Sequence, residues 1–332
     1  MQACGPALLR PDNNQVRERA TWSLRYGGSP SQTLYAAGFS YARVLMELRA
    51  ARRFKHRSAI RSPAVALRHT AISPHDVFVL SYPRSGNTWV RFMLAHLILG
   101  REPSFDEVFR QIPPVGKHRR APRVLPEGGR LVKSHERCAF PFASRYRKVV
   151  YLVRDGRDVS VSYYDWCRRN GLYGGRFEGF LPLFLGGRLE GYGAWHEHVR
   201  SWLGSAPARA NALLVVRYED LLEAPAEGLA RVVEFLGLDA DRGQIEDAVG
   251  SSTLDRTGRW PQPPLRSMVS GERDWARGIG RGSSGGWRQV LTPEERNVFW
   301  GVAGDVLAEL GYERDKSSAK PRALVASPRS NG

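Results

Sequence analysis

The sequence predicts an α/β protein of three layers, α/β/α, built around a central parallel sheet. Short apolar runs without strict alternation, helical stretches between them, and a Gly-containing turn joining the first run to a helix all point that way. The first run, VFVLSYP after Asp76, reads as a buried strand, and NTWVRFMLAHLILG after it reads as an apolar helix. Further strands are expected at LVKSH from Leu131, KVVYLVR from Lys148 and NALLVVRYE from Asn211. Helices are expected over residues 157–169 and 225–236, and LTPEERNVFWGVAGDVLAELGYE from Leu291 reads as a capped amphipathic helix.

The 332 residues divide on composition into three parts. Residues 1–71 form an N-terminal arm with a basic amphipathic helix over 32–55, residues 72–312 the α/β domain, and residues 313–332 a disordered tail. The basic cluster Arg49, Arg52, Arg53, Lys55, Arg57 and Arg61 suits either a solvated helix end or peripheral contact with an anionic membrane. A net charge of +17 favours anionic ligands, while 42% hydrophobic residues are enough for a core. Three cysteines without ligand spacing fit a reducing compartment and argue against structural zinc. No stretch approaches the roughly 18 apolar residues of a spanning helix, so a soluble, cytoplasmic protein is expected. Two segments break the strand–helix rhythm: residues 102–130, and residues 170–192 with Tyr173, Phe177, Phe180, Phe184 and Tyr192. Both are candidates for acceptor-site loops or for plain insertions.

Two constellations carry chemistry. Ser81-Tyr82-Pro83-Arg84-Ser85-Gly86-Asn87-Thr88-Trp89 lies between a strand end and a helix start, where free main-chain N–H groups and the helix dipole favour an anion. Gly86 permits close approach, Ser85 and Thr88 add hydroxyls, Arg84 adds charge, and Trp89 offers a surface for a base. The nucleoside-triphosphatase pattern Gly-x-x-x-x-Gly-Lys-Ser/Thr is absent. Arg154-Asp155-Gly156-Arg157-Asp158-Val159-Ser160-Val161-Ser162 follows a second strand, and its Arg and Ser can converge on another phosphate. Alternatively, Arg154 and Arg157 pair locally with Asp155 and Asp158.

In order, YPRSGNTW, LVKSH, YLVRDGRDVSVSYY, VVRYEDL and GRGSSGGWR resemble the sulfotransferases that use 3′-phosphoadenosine 5′-phosphosulfate, over residues 76–312. The resemblance implies a P-loop-like loop formed by Arg84, Ser85, Gly86, Asn87, Thr88 and Trp89 around the 5′-phosphosulfate, with Arg84 standing where Lys is usual. It implies 3′-phosphate binding by Arg154 and Ser162, closure by Arg281 and Gly282, and Trp89 and Tyr218 near the adenine. It also makes His135 the catalytic histidine, and an imidazole of ordinary pKa near ~6.5 is suited to take the proton of an attacking hydroxyl. Lys133 is expected to stabilise charge at the transferring group, and Arg84 charge on the departing phosphate.

The expected reaction is therefore transfer of a sulfuryl group to a hydroxyl of a small molecule, lipid or carbohydrate, releasing 3′-phosphoadenosine 5′-phosphate (PAP). No metal ion and no nucleic-acid partner is expected. The alternatives are a kinase-like phosphotransferase using a nucleoside triphosphate, and a non-catalytic basic protein binding nucleic acid or membrane.

Overall fold

A computed structural model describes residues 68–138, 145–189, 191–252 and 284–315. The N-terminal arm and basic helix up to residue 67, Arg281, Gly282 and the tail from residue 316 lie outside the described residues.

Four parallel strands form the sheet in the order β2-β1-β3-β4: β1 (Val77–Ser81), β2 (Leu131–Ser134), β3 (Lys148–Val153) and β4 (Leu213–Arg217). The central strands β1 and β3 are buried almost throughout, which is why they read as unbroken apolar runs. β1 pairs with β2 on one side and with β3 on the other, so the chain reverses its direction of growth between them. A crevice opens outside the carboxyl ends of strands at such a point. The turns that leave Ser81 and Val153 lie at that point.

Alternate strand residues feed two cores. Val77, Val79, Val150, Leu152 and Val216 pack with α1 (Asn87–Leu99), α8 (Pro225–Leu236) and α9 (Arg242–Ser251). On the opposite face Phe78 stacks on Tyr146 at 3.5 Å, and Tyr151 lies 6.3 Å from Trp202 of α5 (Trp195–Leu203). Beside α5 on this side lie α3 (Gly156–Arg169), α4 (Phe177–Leu185) and α11 (Pro293–Glu309). Each large apolar side chain buried in these cores contributes roughly 1.5–3 kcal/mol. The other helices among the described residues are short: α2 (Phe105–Gln111), α6 (Ala206–Arg209), α7 (Tyr218–Glu223) and α10 (Trp287–Val290).

The segments expected as loops are partly helical. Residues 102–130 hold α2, closed by a Ser104–Glu107 capping box, and a 3-10 turn at His118–Arg120. Residues 170–192 hold α4, and Tyr173, Phe180 and Phe184 are buried against Tyr163 and Tyr164 of α3. These three rings are therefore core, not acceptor surface. Beneath β1 and β2, Arg130 pairs with buried Asp76 at 2.6 Å and donates to the carbonyls of Ala71 and His118. At the other end of the chain, Arg157 donates to the Glu313 carbonyl and Arg296 pairs with Asp315.

Candidate active site

The turn after β1 is shaped by two left-handed residues, Arg84 at φ 72° and Gly86 at φ 89°. A Cβ on Gly86 would fall 2.6 Å from Cδ2 of Tyr218, so the ring of Tyr218 occupies the space a side chain would need. Asn87 Nδ2 donates to the Val79 carbonyl at 3.1 Å, pinning the start of α1 to its strand. No side chain caps this helix and its first turn carries no acidic residue. Its first N–H groups consequently point outward without intrahelical partners. Among the described residues, two buried donors beside them, Ser85 Oγ and Trp89 Nε1, also have no hydrogen-bond partner. Main-chain donors, helix dipole and orphaned side-chain donors together form an anion cradle.

The second constellation folds against the first. Arg154 Nη1 donates to the Arg84 carbonyl at 3.2 Å, and its guanidinium lies 4.6 Å from the Tyr218 ring centre. Arg84 Nε donates to Ser162 Oγ at 3.2 Å. Burial, and then the charges of Arg169 and Arg154, push the Arg84 guanidinium down to about 10, a value at which it still carries its charge at neutral pH. Arg157 behaves differently: it is clasped by Asp155 at 2.8 Å and covers Trp287 at 3.9 Å. Local pairing thus holds for Arg157, while the charge of Arg154 acts on Asp158 and its Nη1 reaches the Arg84 carbonyl. Asp158 accepts the N–H groups of Gly285 and Trp287 at 2.7 and 3.0 Å, fastening the chain before α10 to α3. Trp89 meets Tyr218 edge-on at 6.0 Å, so the two aromatic residues expected near a base are neighbours.

His135 follows β2, two residues beyond Lys133. Its Nδ1 lies 2.7 Å from the Ser81 carbonyl, which can only accept, so Nδ1 carries the proton and Nε2 keeps a lone pair. Burial first, and then the charge of Lys133, hold the imidazole well below its ordinary value, while the Ser81 carbonyl partly offsets them. The ring is neutral at pH 7 and able to accept a proton. Tyr192 packs edge-on to it at 5.7 Å. Lys133 is aligned by the neighbouring chain: its N–H donates to Pro113 and its carbonyl accepts from Val115.

Residues Arg84–Trp89, Arg154, Ser162 and Tyr218 therefore meet at one end of the sheet, and His135 joins them through Ser81. Arg281 and Gly282 lie outside the described residues. Sequence reasoning missed His198, whose Nε2 lies 3.1 Å from the His135 carbonyl, and gave Tyr192 no link to His135. A single histidine far along the chain gives no pattern to read. Among the described residues no group of three or more His, Cys, Asp or Glu is arranged to hold a metal ion, and no helix is long and apolar enough to cross a membrane.

A family model described as the sulfotransferase domain matches residues 74–311. Sulfotransferase 1A1 of Bos taurus is 25% identical over 247 residues, covering 68% of this chain and 81% of the relative. Sulfotransferase 4A1 of Mus musculus is 26% identical over 241 residues, covering 69% and 78%. Among solved structures, mouse sulfotransferase SULT7A1 complexed with PAP superposes with a TM-score of 0.60 at 20% identity, over 76% of this chain and 95% of that one. Retinol dehydratase in complex with androsterone and inactive cofactor PAP gives 0.57 at 21% identity, over 77% and 86%. At these identities the two structures establish a shared fold.

Proposed function

The chain belongs to the sulfotransferase family, and from that premise we propose that it transfers the sulfuryl group of 3′-phosphoadenosine 5′-phosphosulfate to an acceptor hydroxyl, with His135 as general base. The observation that carries the reading is the double use of the β1 end. The Ser81 carbonyl orients His135, and the chain running on from Ser81 forms the anion cradle. Base and cradle are thereby built on one strand.

The residues present fit such a donor. The uncapped start of α1 with the orphaned Ser85 and Trp89 donors suits its 5′ end. Arg154 and Ser162 suit the 3′-phosphate, Trp89 and Tyr218 the adenine, and Arg281 and Gly282 the closing segment. When bound, the donor supplies an activated sulfuryl group on a phosphate leaving oxygen. The acceptor oxygen bonds to sulfur as the sulfur–oxygen bond to phosphate breaks, and His135 Nε2 takes the hydroxyl proton. Lys133 offsets negative charge at the transferring group, and Arg84 the charge left on the phosphate. Since Arg84 also donates to Ser162, the two phosphate grips share one hydrogen-bonded link. The androsterone-bound relative supports placing apolar small molecules and lipids beside carbohydrates as acceptor classes.

The test is transfer of labelled sulfate from the donor to a panel of phenols, sterols, glycans and glycolipids. His135→Ala is expected to lower turnover on the order of 100-fold or more while PAP affinity is kept. Unchanged turnover in the variant would remove His135 as base. Transfer of phosphate from ATP in place of sulfate would overturn the whole reading.

A further inference from the structure

β2 ends at Ser134, and beyond it the main chain loses its ladder partners. One face of α5 supplies replacements. His198, Ser201 and Trp202 are spaced i, i+3 and i+4, which places them on a single side of the helix. The His198 Nε2–H donates to the His135 carbonyl at 3.1 Å, and the Trp202 indole N–H donates to the Glu136 carbonyl at 2.9 Å. The Cys138 N–H donates to Ser201 Oγ at 3.2 Å. The segment that carries His135 is thus splinted to α5 at three points.

The protonation of His198 follows from its partners. A carbonyl only accepts, so Nε2 holds the proton and Nδ1 presents a lone pair, to which the Tyr151 hydroxyl donates at 2.9 Å. Tyr151 belongs to the central strand β3 and is fully buried, as is His198. Tyr82 stands edge-on to the His198 ring at 5.4 Å, and the Tyr151 ring stacks on it at 5.9 Å. Tyr82 also donates to the Gly193 carbonyl at 3.2 Å, next to the Tyr192 that packs on His135. A strand, a helix and a loop therefore converge on the main chain at one reactive residue.

We propose that His198 is a positioning residue for His135: by holding its carbonyl it keeps the His135 ring seated on Ser81, with Nε2 directed at the reacting hydroxyl. This rests on the reading of His135 as the base. Loss of the His198 donor frees the peptide after His135 to rotate, so that the ring leaves Ser81 part of the time and samples both tautomers. A misplacement of about 1 Å at a catalytic group is enough to cost on the order of 100-fold in rate.

The experiment compares His198→Leu with His198→Gln in the full chain with PAP bound. Gln offers an N–H to the same carbonyl and an oxygen to Tyr151, whereas Leu fills a similar volume with neither. Ring-nitrogen NMR of His135 is expected to show one Nδ1–H tautomer in the wild type and in His198→Gln, and a mixture in His198→Leu. Turnover on the acceptor panel is expected to fall at least about tenfold in His198→Leu, with PAP affinity within about twofold of wild type, and to recover most of the way in His198→Gln. A pure Nδ1–H tautomer with full turnover in His198→Leu would overturn the proposal. So would equal loss of turnover and PAP affinity in both variants, which would make His198 a packing residue only. Should His198→Leu fail to fold, Tyr151→Phe removes the hydroxyl that orients the imidazole and is expected to give a smaller admixture of the second tautomer; no admixture overturns the proposal. Dependence of the His135 tautomer on His198 without sulfuryl transfer to any acceptor would sink the base reading while leaving the positioning intact.

Discussion

The starts of α1 and α3 stand side by side at the carboxyl ends of β1 and β3, yet they are finished in opposite ways. α3 is closed by its own side chains: Asp155 accepts the Arg157 N–H at 2.9 Å, and Asp158 lies in the first turn. α1 has Gly86 in place of a capping side chain and no acidic residue in its first turn. An anion at α1 can therefore bind main-chain N–H groups directly, whereas at α3 the Arg157 N–H is already taken by Asp155 and the first turn already carries the carboxylate of Asp158. A second grip there must consist of side chains, the role proposed for Arg154 before the helix and Ser162 well inside it. A fixed main-chain cradle suits the reacting end of a donor, where geometry governs rate, and a side-chain grip suits its distant end.

The sharpest way to break the contrast is Gly86→Ala. The left-handed backbone costs a non-glycine residue about 1–3 kcal/mol, and the new methyl displaces the Tyr218 ring on which Arg154 lies. PAP affinity measured by calorimetry is expected to drop on the order of 100-fold, from both losses together. Unchanged affinity would mean that the anion does not sit on the α1 cradle.

Arg154→Ala comes next and sharpens the assignment. Removing a hydrogen bond to a charged group costs about 1.5–3 kcal/mol, so PAP affinity is expected to fall roughly 10- to 150-fold. Adenosine 5′-phosphate, lacking the 3′-phosphate, is expected to lose only a few-fold, through the broken contact to the Arg84 carbonyl. Equal losses for the two nucleotides would refute the division between the grips.

That the sheet was legible and the splint was not has a physical cause. Strands buried on both faces need continuous apolar sequence, so β1 and β3 show themselves directly. α8 spans Pro225–Leu236 as expected because Pro225 and Gly237 mark both of its ends, the latter at φ 70°. α4 was hidden by Pro182 and the surrounding glycines, and its rings look like surface until α3 covers them. α5 reads WHEHVRSWL, where two histidines disguise an inward face. His198 and Trp202 point inward to a pair of carbonyls after β2, and main-chain partners leave no mark on the sequence that requires them. The same holds for His135: its type and motif are legible, while the Ser81 carbonyl that fixes its tautomer is not.

The smallest effect belongs to a third helix start, the capping box of α11, which tests the contrast from the structural side. Thr292 Oγ1 accepts the Glu295 N–H at 3.2 Å, and the buried Glu295 carboxylate accepts the Thr292 N–H at 2.9 Å. Thr292→Ala removes the first of these bonds and is expected to cost about 1 kcal/mol in urea denaturation. PAP affinity should stay within error, because α11 packs behind α3, α4 and α5 and contributes no residue to either grip. A loss of affinity as large as that of Arg154→Ala would show that a closed helix start also shapes the donor site, and the division between binding and structural ends would have to be redrawn.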